Sequence, residues 1–448
     1  MNSTGKPSTE NTSNFLSRLW ENLSNGHPLS FFVIVLLVCA PVKLGIGNIA
    51  LILFGLAVIW QFRLHRHFSK DWILYLPMAL FVLMALSLLW SIDLPRSVKA
   101  LPRMIYLFLI PLLFLMFPAF SKNQRIRIME FFGYGMSVIA LFYLLKACIR
   151  FFLTGNKAVF FYHELVTEET NAIYVSVFFS VGFFALLTKY SKSILDKLCC
   201  ALLALLIILL SSKNVALVWA LLTIVYFVGF SRFNRKQIVI SAFALICIGI
   251  LSLFLFPKIV QRFQSEFNTA KVDPKDIVIS GQNVNSVSIS QAWNQEKFTQ
   301  NDYFAGTAFR VYQVRIFTEM LGEDNIFWQG YGLNASYSKV GQKTEEHGLF
   351  KGNETVKGYQ GKNFHNQYVQ NFAELGIFGL LLILAMLFIN LKNAVNAKDF
   401  THISFAVLMI SLFLTESFLW RQRGVTFFVL VYCLYNAGNK ISLSAKKA

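Results

Sequence analysis

Long apolar runs alternate with short polar connections along most of the chain. A helix needs about 20 mostly apolar residues to cross the hydrocarbon core of a bilayer. The first two runs are short and closely spaced, so they could also form one helical hairpin or a single broken span. Runs of this kind predict about twelve transmembrane helices, near residues 29–42, 46–62, 72–90, 98–118, 129–150, 171–188, 194–210, 214–230, 237–256, 367–390, 402–417 and 424–438. We therefore expect an all-α polytopic integral membrane protein.

The composition agrees with a bilayer as the main solvent. Of the 448 residues, 56% are hydrophobic and 14% are charged, and the mean hydropathy is +0.54. A soluble domain carries about 25% charged residues. The net charge of +18 does not indicate nucleic acid as a partner, because Lys and Arg lie in short clusters between the apolar runs. The six cysteines lie in apolar segments without disulfide or metal-ligand spacing, so we expect neither a disulfide framework nor a metal.

The distribution of Lys and Arg predicts the orientation in the membrane. Short cytoplasmic loops retain an excess of positive charge. The fourteen on the richer side are Arg63, Arg66, Lys70, Lys122, Arg125, Arg127, Lys189, Lys192, Lys197, Arg232, Arg235, Lys236, Lys392 and Lys398. The nine on the other side are Lys43, Arg96, Lys99, Lys146, Arg150, Lys157, Lys213, Arg421 and Arg423. The richer side is taken as cytoplasmic, and it holds both termini.

This orientation divides the chain into five parts. Residues 1–28 form a cytoplasmic polar tail without the apolar centre of a cleavable signal, so the first anchor is expected to be retained. Residues 29–256 carry helices 1–9, and residues 257–366 form a large periplasmic loop domain. Residues 367–438 carry helices 10–12, and 439–448 form a second cytoplasmic tail.

The large loop has two halves with different patterns. Its first half has neither a helical period nor many large apolar residues, so we expect irregular or partly extended chain. The spacing of Phe309, Tyr312, Ile316 and Met320 predicts an amphipathic helix between Asp302 and Leu321. The following WQGYGLN stretch is typical of a glycine-punctuated turn.

A polar cluster stands directly before the tenth apolar run. His365 is followed by Asn366, Gln367 and Tyr368. Imidazole titrates near neutrality and can take a proton from a hydroxyl, while the amides and the tyrosine can bind sugar hydroxyls. The alternative is that His365 is a capping or packing residue, as a lone histidine at such a junction often is.

Several cations lie on the predicted outer side, against the usual charge bias. Arginine binds phosphate oxygens in a bidentate way, so a diphosphate is a natural ligand for them. Each also has an ordinary explanation: a solvated helix face, snorkelling to the interface, or, for the last two, a salt bridge with Glu416. Five positions place Arg315 roughly 140° around a helix from Arg310, so the two are not expected to serve one ligand alike. The candidates for phosphate binding are Arg103, Lys213, Arg310, Arg421 and Arg423.

Three of these patterns together resemble the O-antigen ligase and polymerase superfamily of bacterial envelope glycosyltransferases. FHNQYVQNFAELGIFGLLLIL is similar to the family's histidine motif, in which His-Asn leads to Glu-Leu-Gly and a late helix. Arg310 followed by the Gly330-Tyr331-Gly332 turn matches the second pattern. The third, usually Ser-Arg-Gly, stands here as SSKN with Lys213 in place of arginine, which keeps the charge but loses the planar fork.

The resemblance implies a fold like the C-type membrane glycosyltransferases and a metal-independent, cofactor-free, inverting transfer. The donor would be a glycan on undecaprenyl diphosphate, and the acceptor a hydroxyl on lipid A core, at the periplasmic face of the bacterial inner membrane. His365 would orient or deprotonate the acceptor, and Arg310, Lys213 and one of the last two arginines would hold the diphosphate. Arg103, Tyr331, Asn366 and Tyr368 are further substrate-binding candidates.

Other functions stay open at this point. Members of the same superfamily polymerise lipid-linked repeat units or glycosylate Ser and Thr of proteins, and all of them need the same donor site. A transporter of lipid-linked sugars is an alternative from another class, but it would place ionisable residues near the bilayer midplane. The notable charges here cluster at the outer rim. A membrane-anchored sensor with a ligand-binding loop would not require a histidine near the bilayer.

Overall fold

The computed structural model describes residues 27–166, 170–231, 277–279, 282–353 and 357–438. Each predicted span except the ninth overlaps a helix, and the span predicted at 237–256 lies outside the described residues. The described helices before the loop domain are Leu29–Val38 (α1), Leu44–His65 (α2), Tyr75–Leu86 (α3), Leu94–Met104 (α4), Tyr106–Leu115 (α5), Lys122–Thr154 (α6), Ala172–Leu187 (α7), Ile194–Leu210 (α8) and Lys213–Val225 (α9). The helices after it are Gln367–Ala397 (α13), Phe400–Phe413 (α14) and Gln422–Asn436 (α15).

Among the described residues, six helical segments are long and apolar enough to cross a membrane. They are Leu44–His65, Trp72–Leu89, Leu94–Leu115, Lys122–Thr154, Lys213–Phe230 and Gln367–Ala397. The shorter α1, α7 and α14 are also apolar, and almost every residue of α7 is buried among its neighbours. The chain is therefore a mostly helical, multi-pass membrane protein.

Hydrogen bonds join some connections that the charge count predicts to lie on the same side of the membrane, within an outer or an inner set. In the outer set, Arg423 reaches two other connections, donating to the carbonyl of Val42 at 2.9 Å and to the hydroxyl of Thr170 at 3.1 Å. In the inner set, the backbone N–H of Gly438 donates to the carboxylate of Asp71 at 2.7 Å. Which set faces the periplasm stays a prediction.

In its described residues, the loop domain combines a small sheet with three helices. Strands Ile277–Ile279 (β1) and Gln282–Val287 (β2) are antiparallel, and β2 pairs in parallel with Asp302–Phe304 (β3). Partly extended chain was predicted in this half, and the short helix Ile289–Asn294 (α10) was not, because six residues are too few to reveal a helical period. Gly306–Glu323 (α11) and Ser336–Glu346 (α12) follow.

The loop domain has an apolar core of its own. The predicted amphipathic helix is confirmed in α11, where Phe309, Tyr312, Ile316 and Met320 are all at most 8% exposed. They pack with Phe298, with Phe304 of β3 and with Phe364, just before α13. This core holds one face of α11 and the start of α13 together.

The loop domain is joined to the rim of the bundle at the connection between α3 and α4. The indole of Trp90 donates to the carbonyl of Gln329 at 2.9 Å. The backbone N–H of Leu333 donates to the hydroxyl of Ser87, also at 2.9 Å, and Ser338 donates to the carboxylate of Asp93 at 2.7 Å. Hydrogen bonds at these separations fix the glycine turn of the loop against the membrane helices.

Candidate active site

The glycine turn and the Glu-Leu-Gly of the histidine motif form one interlocked structure. The backbone N–H groups of Tyr331 and Gly332 donate to the carbonyls of Ala373 and Glu374, each at 2.9 Å. Those carbonyls are free to accept because α13 is kinked at Gly376, where φ is 66° and ψ is −162°. Only glycine adopts this backbone geometry readily. Two motifs about 40 residues apart in sequence are thus parts of one joint between loop and membrane.

His365 stands one residue before the N-cap of α13. Its φ of 45° lies in the left-handed region, which is uncommon for a residue with a side chain. Its backbone N–H donates to the side chain of Asn363 at 3.1 Å, and its ring lies edge-on to Phe309 of α11, with centroids 6.2 Å apart. The side chain is 30% exposed. This backbone turn carries the imidazole away from α13 and toward α11.

Arg310 extends from α11 to the connection between α14 and α15. Its Nε donates to the carbonyl of Thr415 at 2.8 Å, and its Nη2 lies 3.4 Å from Oε1 of Glu416. Its Nη1 donates to the carbonyl of Gly306 at 3.1 Å. The guanidinium therefore ties the loop domain to the last outer connection of the bundle, with one carboxylate opposing its charge.

Glu416 contacts both Arg310 and His365. Its second oxygen, Oε2, lies 3.4 Å from Nδ1 of His365, and the residue is only 7% exposed. The ordinary alternative for Arg421 and Arg423, a salt bridge with Glu416, is not found among the described residues, where the ion pairs of Glu416 are with Arg310 and His365. A short 3₁₀ turn at Phe418–Trp420 separates Glu416 from those arginines.

Lys213 begins α9 beside the same connection. Its neighbour Asn214 donates to the carbonyl of Ser411 at 2.8 Å and to the hydroxyl of Thr415 at 2.7 Å. Thr415 is the residue whose carbonyl accepts from Arg310. The SSKN pattern, the Arg310 pattern and the histidine motif therefore converge on Thr415 and Glu416.

A second group of cations surrounds two stacked aromatic rings on the far side of this connection. Tyr337 of α12 stacks on Trp420, with centroids 5.1 Å apart. The guanidinium carbon of Arg103 lies 4.2 Å from the centroid of Trp420, and that of Arg96 lies 5.9 Å from Tyr337. Contacts of this kind fix an arginine without neutralising it.

Two of the predicted phosphate-binding arginines are in this second group. Within the described part of the chain, Arg103 forms no ion pair, and its Nε is buried without a hydrogen-bond partner. Arg421, next to Trp420, is exposed, and its positive charge repels that of Arg103. Positive charge held at a low-dielectric rim in this way favours an anionic ligand. Arg423 instead connects Val42 and Thr170.

The remaining predicted substrate-binding residues have partners within the protein. Tyr331 is 3% exposed, and its hydroxyl donates to Asp324 at 2.5 Å; burial raises the pKa of this phenol. The side chain of Asn366 caps α13, accepting from the N–H groups of Tyr368 and Val369. The hydroxyl of Tyr368 donates to the carbonyl of Ile410 at 3.0 Å.

Arg315 lies on the other face of α11, as its angular separation from Arg310 predicts. It pairs with Glu319 at 2.8 Å, and Glu319 lies 3.4 Å from Nε2 of His347. Nδ1 of His347 is 3.0 Å from the hydroxyl of Tyr312. The loop domain thus contains a second Arg-Glu-His group, in which both imidazole nitrogens already face protein atoms.

These features define a polytopic membrane protein whose polar site lies where a loop domain meets the helix ends. Residues 198–384 match the family model described as O-antigen ligase. The resemblance to the O-antigen ligase and polymerase superfamily is therefore confirmed over these residues, and this superfamily's members are glycosyltransferase-like enzymes. No curated protein matches the chain. The matched range holds Lys213, Arg310 and His365, whereas Glu416 lies beyond it.

Proposed function

We propose that the protein is an O-antigen ligase. It transfers an assembled glycan from undecaprenyl diphosphate to a hydroxyl of lipid A core at the periplasmic face of the inner membrane. The observation that carries the proposal is the convergence of three family patterns on Thr415 and Glu416. Asn214 beside Lys213 bonds to Thr415, and Arg310 and His365 meet Glu416.

The donor diphosphate is assigned to the cations at this rim. Arg310 is already opposed by Glu416, whereas Arg103 and Arg421 make no ion pair within the described residues. These two arginines are therefore the principal diphosphate contacts, and Lys213 and Arg310 add positive charge nearby. A lipid-borne diphosphate would reach Arg421 just before α15, whereas Arg103 lies at the end of α4, inside the spanning segment Leu94–Leu115.

The proposed reaction is a direct displacement. The acceptor oxygen forms a bond to the anomeric carbon, and the bond from that carbon to the phosphate oxygen breaks with its electron pair on the diphosphate. His365 takes the acceptor's proton, and the configuration at the anomeric carbon inverts. Negative charge grows on the leaving group in the transition state, where preorganised cations stabilise it most.

Lipid A core is proposed as the acceptor because the histidine motif, FHN through ELG, is the strongest of the three patterns. A polymerase or a protein O-glycosyltransferase of the same superfamily would use the same donor site. Lys213 and Arg421 lie at the starts of α9 and α15, and Arg310 lies on the loop helix α11; these positions support surface chemistry over transport of lipid-linked sugars.

The test is an in vitro transfer assay with the purified full-length protein and undecaprenyl-diphosphate-linked glycan. Three acceptors are offered separately: lipid A core, a second lipid-linked glycan, and a protein bearing Ser and Thr. Product on lipid A core is expected. Product on one of the other acceptors alone would replace the ligase assignment, and donor binding without product on any acceptor would favour a transport or binding role.

A further inference from the structure

We infer that Glu416 is the positioning residue of the transfer site, selecting the tautomer of His365 that can accept the proton. The inference rests on the proposed function, which makes His365 the proton acceptor. Glu416 itself does not touch substrate; it acts through the imidazole.

The geometry around Glu416 is that of a shared carboxylate. Oε2 lies 3.4 Å from Nδ1 of His365, and Oε1 lies 3.4 Å from Nη2 of Arg310. The side chain is 9% exposed, so water satisfies little of its hydrogen-bonding capacity. A buried carboxylate of this kind is retained at low cost only when charged donors face it. Arg310 supplies the permanent charge and His365 the second donor.

The segment that carries Glu416 is anchored on both sides. Asn214 bonds the hydroxyl of Thr415 at 2.7 Å, and the N–H of Leu419 donates to Gln367 at 2.7 Å. The N–H of Glu416 itself donates to the carbonyl of Leu412 at 2.8 Å. The carboxylate is therefore held by elements on either side of the site, which is what a residue that orients an imidazole requires.

The contact with Glu416 determines which ring nitrogen carries hydrogen. An ionised carboxylate only accepts hydrogen bonds, so Nδ1 of His365 must be the donor. In the neutral ring this leaves a lone pair on Nε2. Nε2 makes no hydrogen bond within the part of the chain that the structure describes, and the ring is 30% exposed. The acceptor hydroxyl would therefore lose its proton to Nε2, while Nδ1–H stays bonded to Glu416.

The carboxylate also stabilises the imidazolium that forms during the step. The proton moves from the acceptor oxygen to Nε2 as that oxygen bonds to the anomeric carbon and the diphosphate departs with its electron pair. The ring then carries a positive charge 3.4 Å from Oε2. Arg310 contacts the other oxygen of the same carboxylate. Two positive groups and one carboxylate leave the three residues with one net positive charge as the anionic diphosphate departs.

The loop domain supplies a matched contrast in Arg315, Glu319 and His347. This second group has the same residue types, but Nδ1 of His347 faces the hydroxyl of Tyr312 at 3.0 Å and Nε2 faces Glu319 at 3.4 Å. Neither nitrogen is directed outward, and the side chain is 13% exposed. An arginine, a glutamate and a histidine in contact are therefore not sufficient for a transfer site. The histidine must also keep one ring nitrogen directed outward.

The experiment compares wild-type protein with Glu416→Gln, Glu416→Asp and the control Glu319→Gln, each in nanodiscs at equal folded fraction. Glu416→Gln is expected to lower kcat about 100-fold or more with little change in the donor KM. An amide nitrogen facing Nδ1 would donate to it and favour hydrogen on Nε2. Glu416→Asp, which keeps the charge, is expected to retain more activity than the glutamine variant, and Glu319→Gln to retain the wild-type kcat.

A second readout does not depend on turnover. The ¹⁵N spectrum of histidine-labelled protein above pH 8, with His365→Asn used to assign the signal, should show hydrogen on Nδ1 in the wild type and on Nε2 in Glu416→Gln. Hydrogen on Nε2 in the wild type, or wild-type kcat in folded Glu416→Gln, would overturn the inference. A wild-type protein that transfers no glycan would instead overturn the proposed function, and the tautomer measurement would still decide the role of Glu416.

Discussion

The joint between loop and membrane predicts a large effect of one methyl group at Gly376. A Cβ built there would lie 2.1 Å from the carbonyl oxygen and 2.3 Å from the carbonyl carbon of Trp328. Both atoms are backbone, so no side-chain rotation can relieve the clash. Gly376→Ala must therefore either displace the chain at Trp328 or straighten the kink, and either change separates the glycine turn from α13.

The magnitude follows from two contributions. Placing a side chain at φ 66° and ψ −162° costs about 2 kcal/mol. Losing the hydrogen bonds from Tyr331 and Gly332 to α13 costs about 1 kcal/mol each. We expect Gly376→Ala to reduce the free energy of unfolding of the docked loop domain by about 4 kcal/mol and to lower transfer activity.

Two glycines separate the contributions. Gly155 has a φ of 64° with nothing within 4 Å of a built Cβ, so Gly155→Ala should cost only the strain, about 1 kcal/mol. Gly322, within α11, also has nothing within 4 Å, and Gly322→Ala should be neutral or slightly stabilising. The assay is pulse proteolysis of the loop domain across a urea gradient. If Gly376→Ala and Gly322→Ala unfolded at the same urea concentration, the proposed clash at Gly376 would be refuted.

Three further predictions concern the cations and the loop domain. Lys213→Arg should retain transfer, whereas Lys213→Ala should weaken donor binding about tenfold, measured by titration with the lipid-linked donor; equal affinity would remove Lys213 from the site. Arg103→Gln should weaken donor binding by a similar factor, and Trp420→Ala should do so more than Trp420→Phe, because the aromatic face holds the guanidinium; identical affinities of the two Trp420 variants would contradict this role. Burial lowers the pKa of His347 below 6.5, so the unfolded state binds a proton first as the pH falls, and stability of the loop domain should decrease from about pH 6.5 downward through the lowered folded pKa; a urea midpoint whose pH dependence is unchanged in His347→Gln would contradict it.

The sequence was most informative where the signal is local. Apolar runs predicted the helices because the bilayer demands about 20 apolar residues in each span. The helical spacing of large apolar residues predicted α11, since burial of one face repeats every 3.6 residues. Asn366 could also have been assigned from its position, because an asparagine just before an apolar helix is a typical N-cap.

The contacts that build the site are not local, and the sequence could not supply them. Arg310 meets Glu416 across 106 residues, and His365 meets it across 51. Nearness in sequence instead suggested, as the ordinary alternative, a pair between Glu416 and Arg421 or Arg423, and the described residues do not form it. The hydrogen bonds between the glycine turn and the Glu-Leu-Gly segment could not be predicted either. Both stretches were recognised as motifs, and their backbone pairing depends on the kink at Gly376.

The most direct test of the central claim is single-turnover transfer of glycan to lipid A core by wild-type protein and by His365→Asn. Asparagine tolerates the left-handed φ of 45° at this position, so the variant should fold and bind donor. We predict product from the wild type and transfer about 100-fold slower or worse from the variant. Wild-type rates in folded, donor-bound His365→Asn would contradict the account.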